Sequence, residues 1–225
     1  MSEPAKTPET KAEKMIRRME RNQRKARAEG FMLGVTALLK PGDLVLDCGA
    51  NVGAVTTLLA ATGADVIAFE PDPYAFGRLE EATAEMPNVT RINAAVGVEA
   101  GQVELMRAEN FDTNPSGASV KSTIMAGGRS ISAENAVEVP VIAFPDFLRE
   151  KIAERGEIAF VKMDIEGAEL DILEAMEAAE LFGPIRCLVA ETHERKFKDL
   201  RPRFKALRQR ITAAYPPRKV NLDWI

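Results

Sequence analysis

Six polar residues stand where this chain could do chemistry: Asp47, Glu70, Asn93, Asp164, Glu191 and His193. The first five each close an apolar run, and His193, the sole histidine, follows Glu191 by two positions. In an open parallel sheet the ligand sits beyond the carboxyl ends of the strands, where strand order reverses, so a succession of polar strand ends marks a site. Carboxylates there accept hydrogen bonds from hydroxyls, and a histidine takes up a proton near neutral pH. Glu70 is the most informative. It lies about twenty residues beyond the first glycine of the turn Gly49-Ala50-Asn51-Val52-Gly53, the spacing at which an acid accepts both ribose hydroxyls of a bound nucleoside. The neighbouring Asp72 and Pro73 read as a helix N-cap and first helical position.

The turn also discriminates between cofactors. Glycine lets the backbone approach a ligand closely. A nicotinamide enzyme would prefer Gly-x-Gly-x-x-Gly, and here Asn51 stands at the middle glycine, where it would crowd a pyrophosphate. Its amide could instead hydrogen-bond the amino-acid end of S-adenosylmethionine, which has no phosphate, and Asp47 would suit the ammonium group nearby.

Two ways of activating an acceptor hydroxyl are open. His193 or Asp164 could serve as general base. Alternatively, Asp164, Glu191 and His193 form an oxygen and nitrogen ligand set suited to Mg²⁺ or Mn²⁺, which would lower the hydroxyl pKa. Lys162 shares strand register with Asp164 and would pair with a site carboxylate or form a structural salt bridge. Cys48 and Cys187 lie beside apolar runs with no adjacent base and read as inert core thiols.

Strands and helices must hold these residues in place. Residues 44–47, 65–70, 89–93, 158–164 and 185–191 read as strands. Helical spacing follows most of them, with Phe76 and Leu79, then Ile172, Leu173 and Met176, then Phe204, Leu207 and Ile211 on apolar faces. A further helix carries Phe144, Phe147, Leu148 and Ile152 and closes at Gly156. Segments 102–106 and 137–142 are β-rich, with Pro140 calling for an edge or a bulge in the second. Between them, residues 107–136 show no period, which fits a lid, a binding loop or partial disorder. Residues 218–225 could add a last strand. The alternation of strand and helix gives an α/β fold with a mainly parallel central sheet covered by helices on both faces. Residues 1–10 read as a disordered lead-in and 11–29 as a charged helical arm with a thin apolar edge at Met15, Ile16 and Met19, ended by Gly30. Residues 30–225 form one domain.

The segments DCGANVG, AFEPDP, NVTRINAAVG, VEVPVIAFPDFL, FVKMDIEGAELDIL and AETHE, in that order, resemble FkbM-type methyltransferases, S-adenosylmethionine-dependent enzymes with the Rossmann-like class I methyltransferase fold. The resemblance covers roughly residues 41–194, and KMDIEGAE is its most specific part. It implies a cofactor site lined by Asp47, Gly49, Asn51, Gly53, Glu70, Asp72, Asn93 and Ala94, with residues 164–167 facing the reacting centre. It implies O-methylation of a hydroxyl on a sugar or other small natural product. The chain departs from the family at Pro145, where an acid is usual.

The composition, 46% hydrophobic and 28% charged, fits a globular domain. No apolar run reaches the roughly 20 residues of a membrane span, and the N-terminus lacks the apolar core of a signal peptide, so a cytoplasmic protein is expected. Net charge is −4, unevenly spread: residues 1–29 carry nine Lys/Arg and five acids, and residues 193–225 carry ten and three. Basic ends could dock nucleic acid and make this an RNA methyltransferase, but aromatic interleaving is sparse and solvated helices explain them as well. A non-catalytic cofactor-binding protein would have little use for Asp164, Glu166, Glu191 and His193. A homo-oligomer stays open.

Overall fold

The computed structural model describes residues 10–108, 111, 122–124, 131–194 and 196–224. The expected lead-in, apart from Thr10, and most of the expected loop at 107–136 lie outside them. The chain opens with α1 (Lys11–Leu38), whose N-cap Thr10 exchanges hydrogen bonds with Glu13 in a capping box. Gly30 does not end this helix: it is internal, and α1 runs unbroken across the 29/30 boundary.

Then come β1 (Leu44–Cys48), α2 (Ala54–Ala60), β2 (Asp65–Phe69), α3 (Pro73–Ala82) and β3 (Val89–Ile92). A small side sheet follows, β4 (Ala95–Gly97), β5 (Gly101–Ala108) and β6 (Ile131–Ala143). The second half alternates again: α4 (Phe144–Arg155), β7 (Ile158–Met163), α5 (Glu169–Ala178), β8 (Ile185–Ala190), α6 (Arg201–Ala214) and β9 (Val220–Asn221). The main sheet has the order β3-β2-β1-β7-β8-β9, and every neighbouring pair in it is parallel. Strand order reverses between β1 and β7. That is the Rossmann-like α/β arrangement, and it places a crevice beyond the carboxyl ends of those two strands.

The two-residue alternation of strands sorts the core into two layers. Leu44, Leu46, Cys48, Val161 and Met163 face α4, α5 and α6, while Val45, Val66 and Phe160 face α1 and α2. β1 is central, and all five of its residues are buried. Pro145 sits in the first turn of α4, where the missing N–H costs nothing. In the side sheet β6 is the middle strand, but β4 pairs only from Val141 onward, so Pro140 lies where that side of β6 is still an edge. β5 and β6 both extend into the span expected to be loop, and Met106 bridges Thr123. Among the described residues no helix is long and apolar enough to cross a membrane.

Candidate active site

Beyond β1 and β7 the structure holds a cavity of about 360 Å³, lined by Gly49 to Val52 of the glycine turn, Glu70, Ala94, the 122–124 segment, Lys162, Asp164 to Glu166, and Trp224. The turn explains itself sterically. Gly49 has φ +78°, and a Cβ there would lie 1.8 Å from the Asp164 carbonyl oxygen, so only glycine lets β1 and β7 leave the sheet side by side. Gly53, φ +87°, is the N-cap of α2, and a Cβ there would press on Leu79. Asn51 takes the left-handed conformation at φ +50°, which asparagine tolerates better than most residues. Its Oδ1 accepts from the Val52 N–H at 2.8 Å, and its own N–H donates to Glu70 Oε2 at 2.7 Å.

Glu70 directly follows β2 and is 5% exposed. Its other oxygen accepts the Asp72 N–H at 2.8 Å. Burial nevertheless pushes its pKa up to about 7, against the two backbone hydrogen bonds that favour the charged form. A buried carboxylate lining a cavity, each oxygen with one lone pair in use, keeps acceptor capacity for ligand hydroxyls.

Four expected cofactor residues, Gly53 and the three polar residues Asp47, Asp72 and Asn93, do not line the cavity. Asp47 lies within β1, not at its end, and is fully buried. It pairs in register with Lys162 on the same sheet face, accepts the Thr56 hydroxyl at 2.7 Å, and holds the Lys162 ammonium 3.3 Å from Oδ1. Lys162 therefore supplies the cation that Asp47 was expected to find in a ligand; it also lies 3.8 Å from Asp164 and donates to the Gly49 carbonyl at 2.6 Å. Burial would lower the Lys162 pKa, but the charges of Asp47 and Asp164 outweigh it and raise it. Asp72 caps α3 through the Tyr74 N–H, and its carboxylate also takes Arg107 and the Ser122 hydroxyl. Asn93 is exposed and clips the end of β2 by donating to the Glu70 and Pro71 carbonyls.

Asp164, on the cavity lining, comes together with Glu191 and His193, with one ligand atom from each within 4.8 Å of the others. His193 Nε2 lies 3.4 Å from Glu166, 3.7 Å from Glu191 and 3.9 Å from Asp164. Its Nδ1 is 2.9 Å from Glu169 Oε1, a fully buried carboxylate at the start of α5. The same oxygen accepts the Ile165 and Gly167 N–H groups and so fixes the loop after β7. Burial would lower the His193 pKa, but the hydrogen bond and charge of Glu169, with the charge of Glu166, hold it above the usual histidine value. Burial, and then the Asp164 charge, pushes Glu191 up to about 7. Lys196 pairs with Glu166 at the rim.

The sequence reading missed two residues here. Glu169 lies inside the KMDIEGAE block, and its place in the first turn of a helix was the available signal. Trp224, the only tryptophan, lines the cavity with its indole Nε1 buried and without a hydrogen-bond partner. Nothing in the sequence near it announced that. The two cysteines are free, Cys48 with its thiol pKa pushed well up by burial and Cys187 raised to about 11.

The model of the FkbM methyltransferase domain matches residues 47–215, most of the chain and all of this site except Trp224. The chain belongs to that family. Among its relatives is the hexuronic acid methyltransferase AglP of Haloferax volcanii, 28% identical over 154 residues, which are 67% of this chain and 56% of that protein. Another is the 31-O-demethyl-FK506 methyltransferase FkbM of Streptomyces tacrolimicus, 31% identical over 179 residues, 69% of this chain and 67% of that protein. The chain thus spans little more than half of AglP. A precorrin-6y C5,15-methyltransferase from Geobacter metallireducens is 13% identical, covering 80% of this chain and 68% of that one with a TM-score of 0.41. The fold assignment rests on the strand order instead.

Proposed function

We propose that this FkbM-family chain transfers a methyl group from S-adenosylmethionine to a hydroxyl oxygen of a small-molecule acceptor. One observation carries the reading: a cavity beyond the β1–β7 reversal is lined both by a buried carboxylate, Glu70, and by Asp164, which clusters with Glu191 and His193. The residues fit the cofactor. Glu70 offers free lone pairs for ribose hydroxyls, the glycine turn leaves backbone open to the cavity, and the Trp224 Nε1–H is a donor awaiting an acceptor. When bound, the cofactor supplies an already activated sulfonium methyl, so the protein has to align the acceptor and remove its proton.

His193 is the group for that proton. An ionised Glu169 accepting at Nδ1 favours the histidine hydrogen there, which leaves the Nε2 lone pair among Glu166, Glu191 and Asp164. The surrounding carboxylates stabilise the imidazolium that results, and Asp164 is the competing base. Both relatives are named for oxygen-bearing small molecules, a hexuronic acid and 31-O-demethyl-FK506, which favours an acceptor of that class here.

The closeness of Asp164, Glu191 and His193 supports a second reading, in which they hold Mg²⁺ or Mn²⁺ that lowers the acceptor pKa. A ligating histidine usually donates its other N–H to a carboxylate, as Glu169 allows here.

Calorimetric titration of S-adenosylmethionine, with Glu70→Ala and with NAD as control ligand, tests the first step. Binding of S-adenosylmethionine only, lost in the variant, supports the reading and justifies a screen of sugar and other hydroxyl-bearing small-molecule acceptors with and without divalent metal. Binding of NAD alone, or of neither, would sink it.

A further inference from the structure

Residues 11–27 of α1 are all exposed, and the helix first meets its own domain at Ala28 and Met32. A projecting helix of this length has no packing to sustain it and is marginal by itself in water. Its outer face is not that of a solvated arm. Along the side opposite Ala28 and Met32, small or apolar residues recur at alternating spacings of four and three, from Ala12 to Ala37, interrupted only by Gln23. That 3.5-residue period is the seam of a helix pair, here about 37 Å long at 1.5 Å per residue. Its large members are bare: Ile16 and Met19 are each 54% exposed, and Leu33 is 71% exposed. Gly30 belongs to the same seam, yet a Cβ there would meet nothing within 4 Å, so its own fold does not demand glycine. A glycine inside a helix is destabilising relative to alanine, and a closely packed neighbour would give it a purpose.

We propose that a second copy of this chain covers this face, the two α1 helices packing antiparallel. The occupant follows from self-complementarity in size and charge. In an antiparallel register centred between Arg24 and Lys25, Ile16 meets the second copy's Leu33, Met19 meets its Gly30, Gln23 meets its Ala26, and Ala12 meets its Ala37. Large residues thus face large or vacant positions, and no two glycines oppose each other. The same register sets Glu20 beside the second copy's Arg27, and symmetry repeats that pair, so one two-fold axis yields two opposite-charge contacts flanking the seam. A parallel pairing would place Gly30 on Gly30 and leave Glu20 without that partner. Because the seam points away from the methyltransferase domain, each copy keeps its cavity open. The inference is independent of the reaction assigned above.

Sedimentation of the full chain at tens of micromolar tests it. The expected mass is twice 24.6 kDa. Ile16→Lys and Leu33→Lys, both on exposed positions that leave the domain core untouched, should each weaken association by about tenfold or more. Glu20→Arg and Arg27→Glu should each weaken it, and the double charge swap should restore it. A monomer at these concentrations would overturn the proposal, as would a dimer indifferent to the Lys substitutions. A swap that fails to restore the dimer would overturn the antiparallel register. A monomer that instead floats with phosphatidylglycerol vesicles, or is retained on RNA in low salt, would assign the seam or its basic flank to another occupant.

Discussion

Glu70 carries two opposing pH dependences, and together they identify its role. Its pKa in the folded chain is about 7, above the ordinary 4.5, so the folded state holds the proton more tightly than the unfolded chain does. Its stability contribution is therefore greatest below pH 4.5 and is lost as pH rises toward 7, a change of roughly 3 kcal/mol. Ligand binding should run the other way, because ribose hydroxyls are accepted by the ionised form. Affinity for S-adenosylmethionine should rise up to about tenfold per pH unit below 7 and level off above it. Urea unfolding of the free protein and calorimetry with the ligand, both from pH 5 to 8, read the two slopes. Glu70→Gln should flatten both; an affinity indifferent to pH would remove Glu70 from the binding site, and a stability that rises from pH 5 to 7 would overturn its raised pKa.

Trp224 offers a second test at the same scale. Since it is the only tryptophan and lines the cavity, its fluorescence should change on cofactor binding and saturate with the calorimetric affinity. Trp224→Phe keeps an aromatic ring, though a smaller one, but removes the orphaned N–H, and should weaken binding by about five- to tenfold, the worth of one hydrogen bond. Unchanged affinity would make the tryptophan packing alone.

Elements decide why Asp47 differs from what the sequence suggested, while Lys162 pairs with a carboxylate as expected. The polar residue after an apolar run looks like a strand end, but β1 continues to Cys48, and register with β7 turns Asp47 into the buried partner of Lys162. Removing the cation alone should cost about 3–5 kcal/mol, because Lys162→Met strands a buried carboxylate. The double variant Asp47→Leu/Lys162→Met should recover most of that, and a double-mutant cycle by urea unfolding measures it. A double-variant loss equal to the sum of the two single losses would mean that the pair is not coupled. The strands, the glycine turn and Glu70 were legible because local period and φ requirements are written locally. Glu169 holding His193, and Asp72 binding Arg107 and Ser122, were not, because those partners are brought together by tertiary packing across β5, α5 and the 122–124 segment. Gly30 misled for a related reason. A glycine ends a helix only where the chain must turn left-handed, and here it keeps the helical conformation.

At the scale of the whole molecule, α1 joins two jobs in one helix: its C-terminal part seals the sheet face, and the rest projects. The domain's own fold accordingly begins near Ala28, the first buried residue of α1, and the 29/30 boundary drawn from sequence cuts a continuous helix. A chain starting at Arg24 keeps one turn ahead of Ala28 but loses one side of every seam contact. It should bind S-adenosylmethionine with unchanged affinity, because the removed residues lie outside the cavity. Its melting temperature should be independent of protein concentration, whereas that of the full chain should climb with concentration, since association stabilises the folded state by mass action. At high dilution the two should melt within about 2 °C of each other, as expected when only exposed residues are lost. A truncated chain that melts much lower even there would show that the arm supports the domain directly. Concentration dependence surviving the truncation would move the association surface off α1.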